Sequence, residues 1–299
     1  MNFINTSLLR VGYEEYNPST SETSETSKTV ILVHGWPDST RSWAGVAPVL
    51  ADAGWRVLVP SLRGFSPTTF LSLDTPRTGQ LAALGRDLLE FIDALKLHRP
   101  ALVGHDWGAR AVANACGLSP GIASHLAMLS VGYGTNDPKQ NLSLEQARNY
   151  WYHWYMATPR GERTVMDDRR NFTRMMWDTW APTGWYTAGE FDATANAFDN
   201  PDWPDVVLHS YRHRWGHADG DAHYAQDDAA LNPAPLLAVP TLVLHGAADS
   251  CNPPSSSDGK AHFFTGPYQR QLIDGVGHFP QREAPQQVAD ALLEFFNQH

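Results

Sequence analysis

The chain has 299 residues, 42% hydrophobic and 18% charged, enough apolar surface for a large core and too much for a disordered chain. A formal charge of −10 argues against a nucleic-acid partner, which needs clustered Lys and Arg. Two isolated cysteines, Cys116 and Cys251, exclude a disulfide scaffold and fit a reducing compartment.

The opening residues show no basic stretch followed by an apolar run, so no signal peptide is expected. No apolar run approaches the roughly 20 residues that cross a bilayer. The expectation is a cytoplasmic globular protein without a membrane partner. Residues 18–28 are polar and low in complexity and read as a flexible turn in an N-terminal hairpin.

Thr29 to Gly35 is a short β-branched apolar run of the buried parallel-strand kind. A helix is expected over 42–54, closing on Gly54. A strand over 55–62, a helix over 79–95, a strand over 99–106, a helix over 107–120 and a strand over 125–133 follow. The alternation resumes after Pro240 with strands over 241–249 and 268–278 and a closing helix over 286–296. Strands and helices alternating at this spacing imply a parallel sheet with right-handed crossovers.

Between residues 135 and 232 the pattern changes. Seven of the eleven tryptophans fall there, with 15 acidic residues against 9 basic ones. The chain therefore divides into a first core part (1–134), a Trp-rich and mainly helical cap (135–235) and a second core part (236–299).

Ligands of open α/β sheets bind outside the carboxyl ends of the strands. Four such ends carry unusual chemistry: His34-Gly35-Trp36-Pro37, Gly104-His105-Asp106-Trp107-Gly108, Gly246-Ala247-Ala248-Asp249 and Gly277-His278-Phe279. Taken in this order, the four motifs resemble the α/β-hydrolase fold: a mostly parallel, doubly wound sheet with a helical cap inserted after the sixth strand. The resemblance spans essentially the whole chain. The elbow has the form G-x-Nu-x-G with Asp106, not Ser, at the nucleophile position. That combination is similar to epoxide hydrolases and to their relatives the haloacid and haloalkane dehalogenases.

An ionised carboxylate needs no base, so Asp106 is expected to attack an sp³ carbon directly and form an alkyl-enzyme ester. His278, oriented by Asp249, would activate water against that ester. The resemblance places the oxyanion hole on the backbone N–H groups of Trp36 and Trp107. Each residue also has an ordinary structural role open to it. Asp106 could cap the following helix, Asp249 could be a turn residue, and His278 could be a core histidine. The alternative position for the acid carries Ser130 and offers no carboxylate.

The resemblance also supplies the leaving-group side. Epoxide hydrolases use two cap tyrosines, matched here by Tyr152 and Tyr211. Fluoroacetate dehalogenases use a halide cradle, matched by His153, Trp154 and Tyr211, and two arginines that clamp a carboxylate. Only the second arginine is matched, by Arg110; the first is Trp107. Successive helix residues turn by about 100°, so Tyr152, His153 and Trp154 cannot all face one pocket.

His209, His213 and His217 are spaced i, i+4, i+8. Their ends lie about 12 Å apart on a helix, too far to close on one ion alone, so no metal is expected. The reading is a cofactor-free hydrolase of an apolar or aryl epoxide, its partner a small-molecule substrate. A hydrolytic dehalogenase and a ligand-binding protein without turnover are the alternatives. A homodimer is compatible with the sequence, which does not specify one.

Overall fold

The computed structural model describes residues 1–17, 28–135 and 139–299. Its strands are β1 (Asn2–Asn5), β2 (Leu9–Tyr16), β3 (Thr29–Val33), β4 (Arg56–Pro60), β5 (Thr69–Phe70), β6 (Ala101–His105), β7 (Leu126–Leu129), β8 (Thr241–Gly246) and β9 (Tyr268–Ile273). They form one sheet in the order β1-β2-β4-β3-β6-β7-β8-β9, with β5 pairing β2. Neighbours from β4 to β9 are parallel, whereas β1, β2 and β5 pair antiparallel.

The central strands are largely apolar and almost wholly buried because both faces are covered. Their alternation sorts residues into two cores. Ile31, Val33, Leu102, Met128 and Val243 join one cluster; Val30, Leu32, Val103, Leu129 and Leu244 join the other. On the second face lie α1 (Ala47–Asp52) and the final helix (Pro285–Gln298), which supplies Val288, Leu292 and Phe295. On the first lie α2 (Leu81–Ala94) and α3 (Trp107–Leu118), together with the aromatic segment.

That segment contributes α4 (Leu144–Asn149), α5 (Trp151–Met156), α6 (Pro159–Asp167), α7 (Arg169–Trp180), α8 (Ala188–Ala195), α9 (Trp203–Arg214) and α10 (Ala225–Leu231), all between β7 and β8.

Three expectations need correction. The segment between residues 42 and 54 is not one helix but a 3₁₀ turn (Thr40–Trp43) followed by α1. Pro48 stands in the first turn of α1, where its missing N–H is harmless; further into a longer helix it would break the ladder. The helical insertion follows the seventh described strand, not the sixth, since the two-residue β5 adds one. Strands β2 and β3, which flank the polar stretch, do not pair; β4 lies between them. The hairpin is β1–β2, turning at residues 6–8. Residues 18–27, which hold nearly all of the expected turn, lie outside the described residues.

The crossing of α3 over the sheet depends on glycine. A Cβ on Gly108 would stand 2.1 Å from the Val33 carbonyl oxygen, and one on Gly104 would stand 2.2 Å from the Gly108 carbonyl oxygen. Gly108→Ala is therefore expected to cost about 3 kcal/mol through overpacking. The control is Gly189→Ala in α8, where a Cβ meets nothing within 4 Å. Thermal unfolding of the two variants checks this; equal melting temperatures would contradict so tight a crossing.

Candidate active site

The strand order reverses at β3 and β6: from β3 the chain passes to β4 on one side and returns to β6 on the other. Ligand sites of doubly wound sheets open at such a switch point. Trp36 follows β3 and Asp106 follows β6, so both stand at this crevice.

Asp106 has φ 50° and ψ −111°, a conformation costing a non-glycine residue about 1 kcal/mol or more. It is held there by the tight approach of β6 to α3. Although Asp106 occupies the N-cap of α3, its side chain makes no capping hydrogen bond, which removes the helix-cap reading. Instead Oδ1 accepts from the Trp36 backbone N–H at 3.0 Å. Oδ2 stands 3.8 Å from His278 Nε2, which has no hydrogen-bond partner among the described residues. The Trp107 N–H opens α3 and has no intrahelical acceptor.

His278 Nδ1 lies 2.8 Å from Asp249 Oδ2. Oδ1 of Asp249 accepts from the backbone N–H groups of Cys251 and Asn252 at 2.8 and 2.9 Å. Burial alone would raise the Asp249 pKa, yet His278 and His245 outweigh it and hold the value at about 2. For His278, burial favours the neutral ring, but Asp249, Asp106 and Glu283 prevail and raise its pKa above 6.5. Ser130, at the end of β7, is occupied otherwise: its carbonyl accepts from Asn252 Nδ2.

The His278 loop is pinned by residues that no sequence motif singled out. Glu283 accepts from the backbone N–H groups of Gly277 and Phe279 at 2.7 and 2.9 Å. His105 Nε2 donates to the His278 carbonyl at 2.7 Å. Arg282 grips Asp38 with Nε at 2.9 Å and Nη2 at 2.6 Å, joining this loop to the turn that carries Trp36. The His105 contact spans 173 residues of sequence and the Arg282–Asp38 pair 244, so only the fold exposes them.

Opposite Asp106 stand Tyr152 of α5 and Tyr211 of α9, both almost fully buried. Their rings meet edge to face at 5.4 Å, and the Tyr152 ring stacks on Trp36. Tyr211 Oη accepts from Trp107 Nε1 at 3.1 Å, leaving its own hydrogen to donate. The Tyr152 hydroxyl lies 3.5 Å from Cys251 Sγ. Burial, assisted by neighbouring negative groups, pushes both phenols well above 10, so both remain protonated.

Among the neighbouring sequence candidates, Trp154 is turned away, as helix geometry requires, and Nε1 donates to the Ala147 carbonyl at 2.8 Å. It therefore takes no part in a halide cradle. His153 is buried beside Tyr211, ring centroids 4.5 Å apart. Burial, Arg214 and Arg110 hold its pKa well below 6.5. Nδ1 takes the Trp215 indole N–H at 3.0 Å, so the ring hydrogen of this neutral histidine sits on Nε2.

Arg110 is buried, donates from Nη1 to Thr135 Oγ1 at 3.1 Å, and has its pKa lowered by burial and by Arg214. In the histidine stripe both nitrogens of His209 are engaged, Nδ1 by the Gly79 N–H and Nε2 with the Asp219 carbonyl. Tryptophans 36, 107, 180 and 203 are buried, and the rings of Trp180 and Trp203 pack against Trp36.

Fold and site together define a hydrolase of the doubly wound class. The family model of the α/β hydrolase fold matches residues 28–285, and the chain belongs to that family. It is 31% identical over 294 residues to epoxide hydrolase A of Mycobacterium tuberculosis, covering 89% of each chain. It is 26% identical to an epoxide hydrolase of Caballeronia sordidicola, covering 97% of this chain and 95% of the other. A Klebsiella pneumoniae crystal structure, provisionally described as an epoxide hydrolase, superposes with a TM-score of 0.90. That protein shares 35% identity and the match covers 99% and 97% of the two chains. No helix among the described residues is long and apolar enough to cross a membrane.

Proposed function

We propose that this hydrolase converts neutral apolar epoxides, aryl ones foremost, to vicinal diols through a covalent ester on Asp106. The observation that carries the proposal is the disposition of the Asp106 carboxylate. One oxygen rests on the Trp36 N–H, the other faces an unpartnered His278 Nε2, and two protonated phenols stand close enough to feel the Asp106 charge.

In the first step a carboxylate oxygen of Asp106 forms a bond to an epoxide carbon while the carbon–oxygen bond of the ring breaks. The departing alkoxide takes its proton from a phenol, with Tyr211 and Tyr152 as the ring-opening pair. In the second step His278 removes a proton from water, whose oxygen attacks the ester carbonyl carbon. The tetrahedral oxyanion is held by the N–H groups of Trp36 and Trp107. Collapse expels the ester alkoxide, which takes the proton held by His278 and leaves as the diol, while the proton of the new Asp106 carboxyl returns to the phenolate and restores the resting site. Residues 135–235 act as a cap that supplies the phenols and the apolar walls.

Carbon–halogen substrates fit this site less well. With Trp154 hydrogen-bonded outside the pocket, a halide would be left with His153 and Tyr211. Trp107, in the place of an arginine, favours an uncharged substrate.

The test is diol formation from a panel of aryl and alkyl epoxides, followed by chromatography, with halide release from haloacetates run in parallel. Diol without halide is expected, and halide without diol would reverse the assignment. Tyr211→Phe should slow ester formation by roughly 10²-fold, the usual yield of a positioned acid. Rapid-quench measurement should find its ester hydrolysis little changed; equal slowing of both steps would remove Tyr211 from ring opening.

A further inference from the structure

The triad acid has a second histidine. His245, the penultimate residue of β8, is fully buried, and its Nε2 lies 3.3 Å from Asp249 Oδ2, the oxygen that faces His278 Nδ1 at 2.8 Å. Nε2 also lies 2.8 Å from the Asn252 carbonyl. A carboxylate and a carbonyl only accept, so the hydrogen belongs on Nε2.

The other nitrogen agrees. Nδ1 stands 2.9 Å from Ser257 Oγ, and that hydroxyl accepts from Arg270 Nε at 3.0 Å. The Pro254 carbonyl, the other acceptor within reach of Ser257, is already served by Arg270 Nη2 at 2.6 Å. The serine hydrogen is thus available to Nδ1, which has no other donor.

We propose that His245 is a positioning residue. With its hydrogen on Nε2, it shares Asp249 Oδ2 with His278, fixing the carboxylate and limiting its pull on the His278 proton. The proposal rests on the roles given above to His278 and Asp249. A carboxylate relieved of one donor becomes a stronger acceptor. Loss of the His245 N–H beside Oδ2 should therefore raise the His278 pKa and move the acid limb of ester hydrolysis to higher pH.

The other groups facing this chain are Asp106, Glu283 and His105 around His278, and Cys251 beside Asp249. Beyond Ser257 are Arg270 and its partner Asp258. None of them is altered by a change at His245, so the shift reports that contact.

The experiment is an NMR titration of ¹⁵N-histidine-labelled resting protein, which needs no substrate and stands whether or not diol forms. In the wild type, His245 should carry hydrogen on Nε2 and not on Nδ1, and its ring signals should move as His278 titrates. In His245→Phe the His278 midpoint should rise by about half a unit or more. His245→Gln, whose amide NH₂ reaches the same place, should stay near the wild type. A bare Nε2, stationary ring signals, or a folded His245→Phe protein with an unmoved His278 midpoint would each overturn the proposal. Should His245→Phe not fold, the two wild-type observations decide the matter alone.

Discussion

Asp106→Asn protein is expected to form no diol at first, a loss of at least about 10⁴-fold in kcat. The amide is isosteric, so Trp36 N–H retains an acceptor and the fold is expected to persist; only the nucleophile's charge disappears. A neutral amide oxygen is a poor attacker of an sp³ carbon. No base in the site can replace it, because the unpartnered His278 Nε2 is placed to act on water. Initial-rate chromatography checks the prediction, together with a melting curve that separates lost chemistry from lost fold. Slow recovery over hours, accompanied by a mass gain of about 1 Da, would be deamidation of Asn back to Asp. Undiminished initial turnover would show that Asp106 is not the nucleophile.

The second large effect belongs to His278. His278→Gln leaves the carboxylate of Asp106 ionised and the phenols in place, so ring opening should proceed. Ester hydrolysis loses its base and should slow by roughly 10³-fold or more. Intact-protein mass spectrometry should then find one added mass equal to that of the whole epoxide, since opening the ring expels no fragment. Peptide mapping should place it on Asp106. A variant that turns over normally, or one with no adduct and no turnover, would reject the two-step scheme.

The pH dependence of the wild-type enzyme has a definite sign. His278 must be neutral to remove a proton from water, and Asp249, Asp106 and Glu283 raise its pKa above 6.5 despite burial. Ester hydrolysis should accordingly rise with pH through a midpoint above 6.5. Ring opening, which does not call on His278 as a base and uses phenols whose pKa values are raised well above 10, should not share that limb. Asp249 titrates near 2 and adds no ionisation in the neutral range.

The sheet was legible because its central strands are apolar on both faces, and β3, β4, β6, β7 and β8 start within about two residues of expectation. Glycines at 104 and 108 mark the close crossing of strand and helix, and Gly54 marks the end of α1. The two-residue β5 and the 3₁₀ turn before α1 were not legible, since neither has a periodicity of its own. The expected division at 135 and 235 rests on composition. Between those bounds the helices α4 to α10 fall between β7 and β8.

What the sequence by itself determined is which groups are available: a carboxylate at the elbow, an acid and a histidine following it in chain order, and a segment rich in aromatic residues. These are local motifs, and each depends on a few neighbouring residues for its conformation. What only the tertiary structure decided is which groups share a hydrogen bond. Trp154 bonds to the Ala147 carbonyl, while the neighbouring His153 packs against Tyr211. Glu283 and Arg282 pin the histidine loop, and His245 stands on the same oxygen as His278. A buried polar group must find its partner wherever the packed chain brings one within about 3 Å, irrespective of sequence separation.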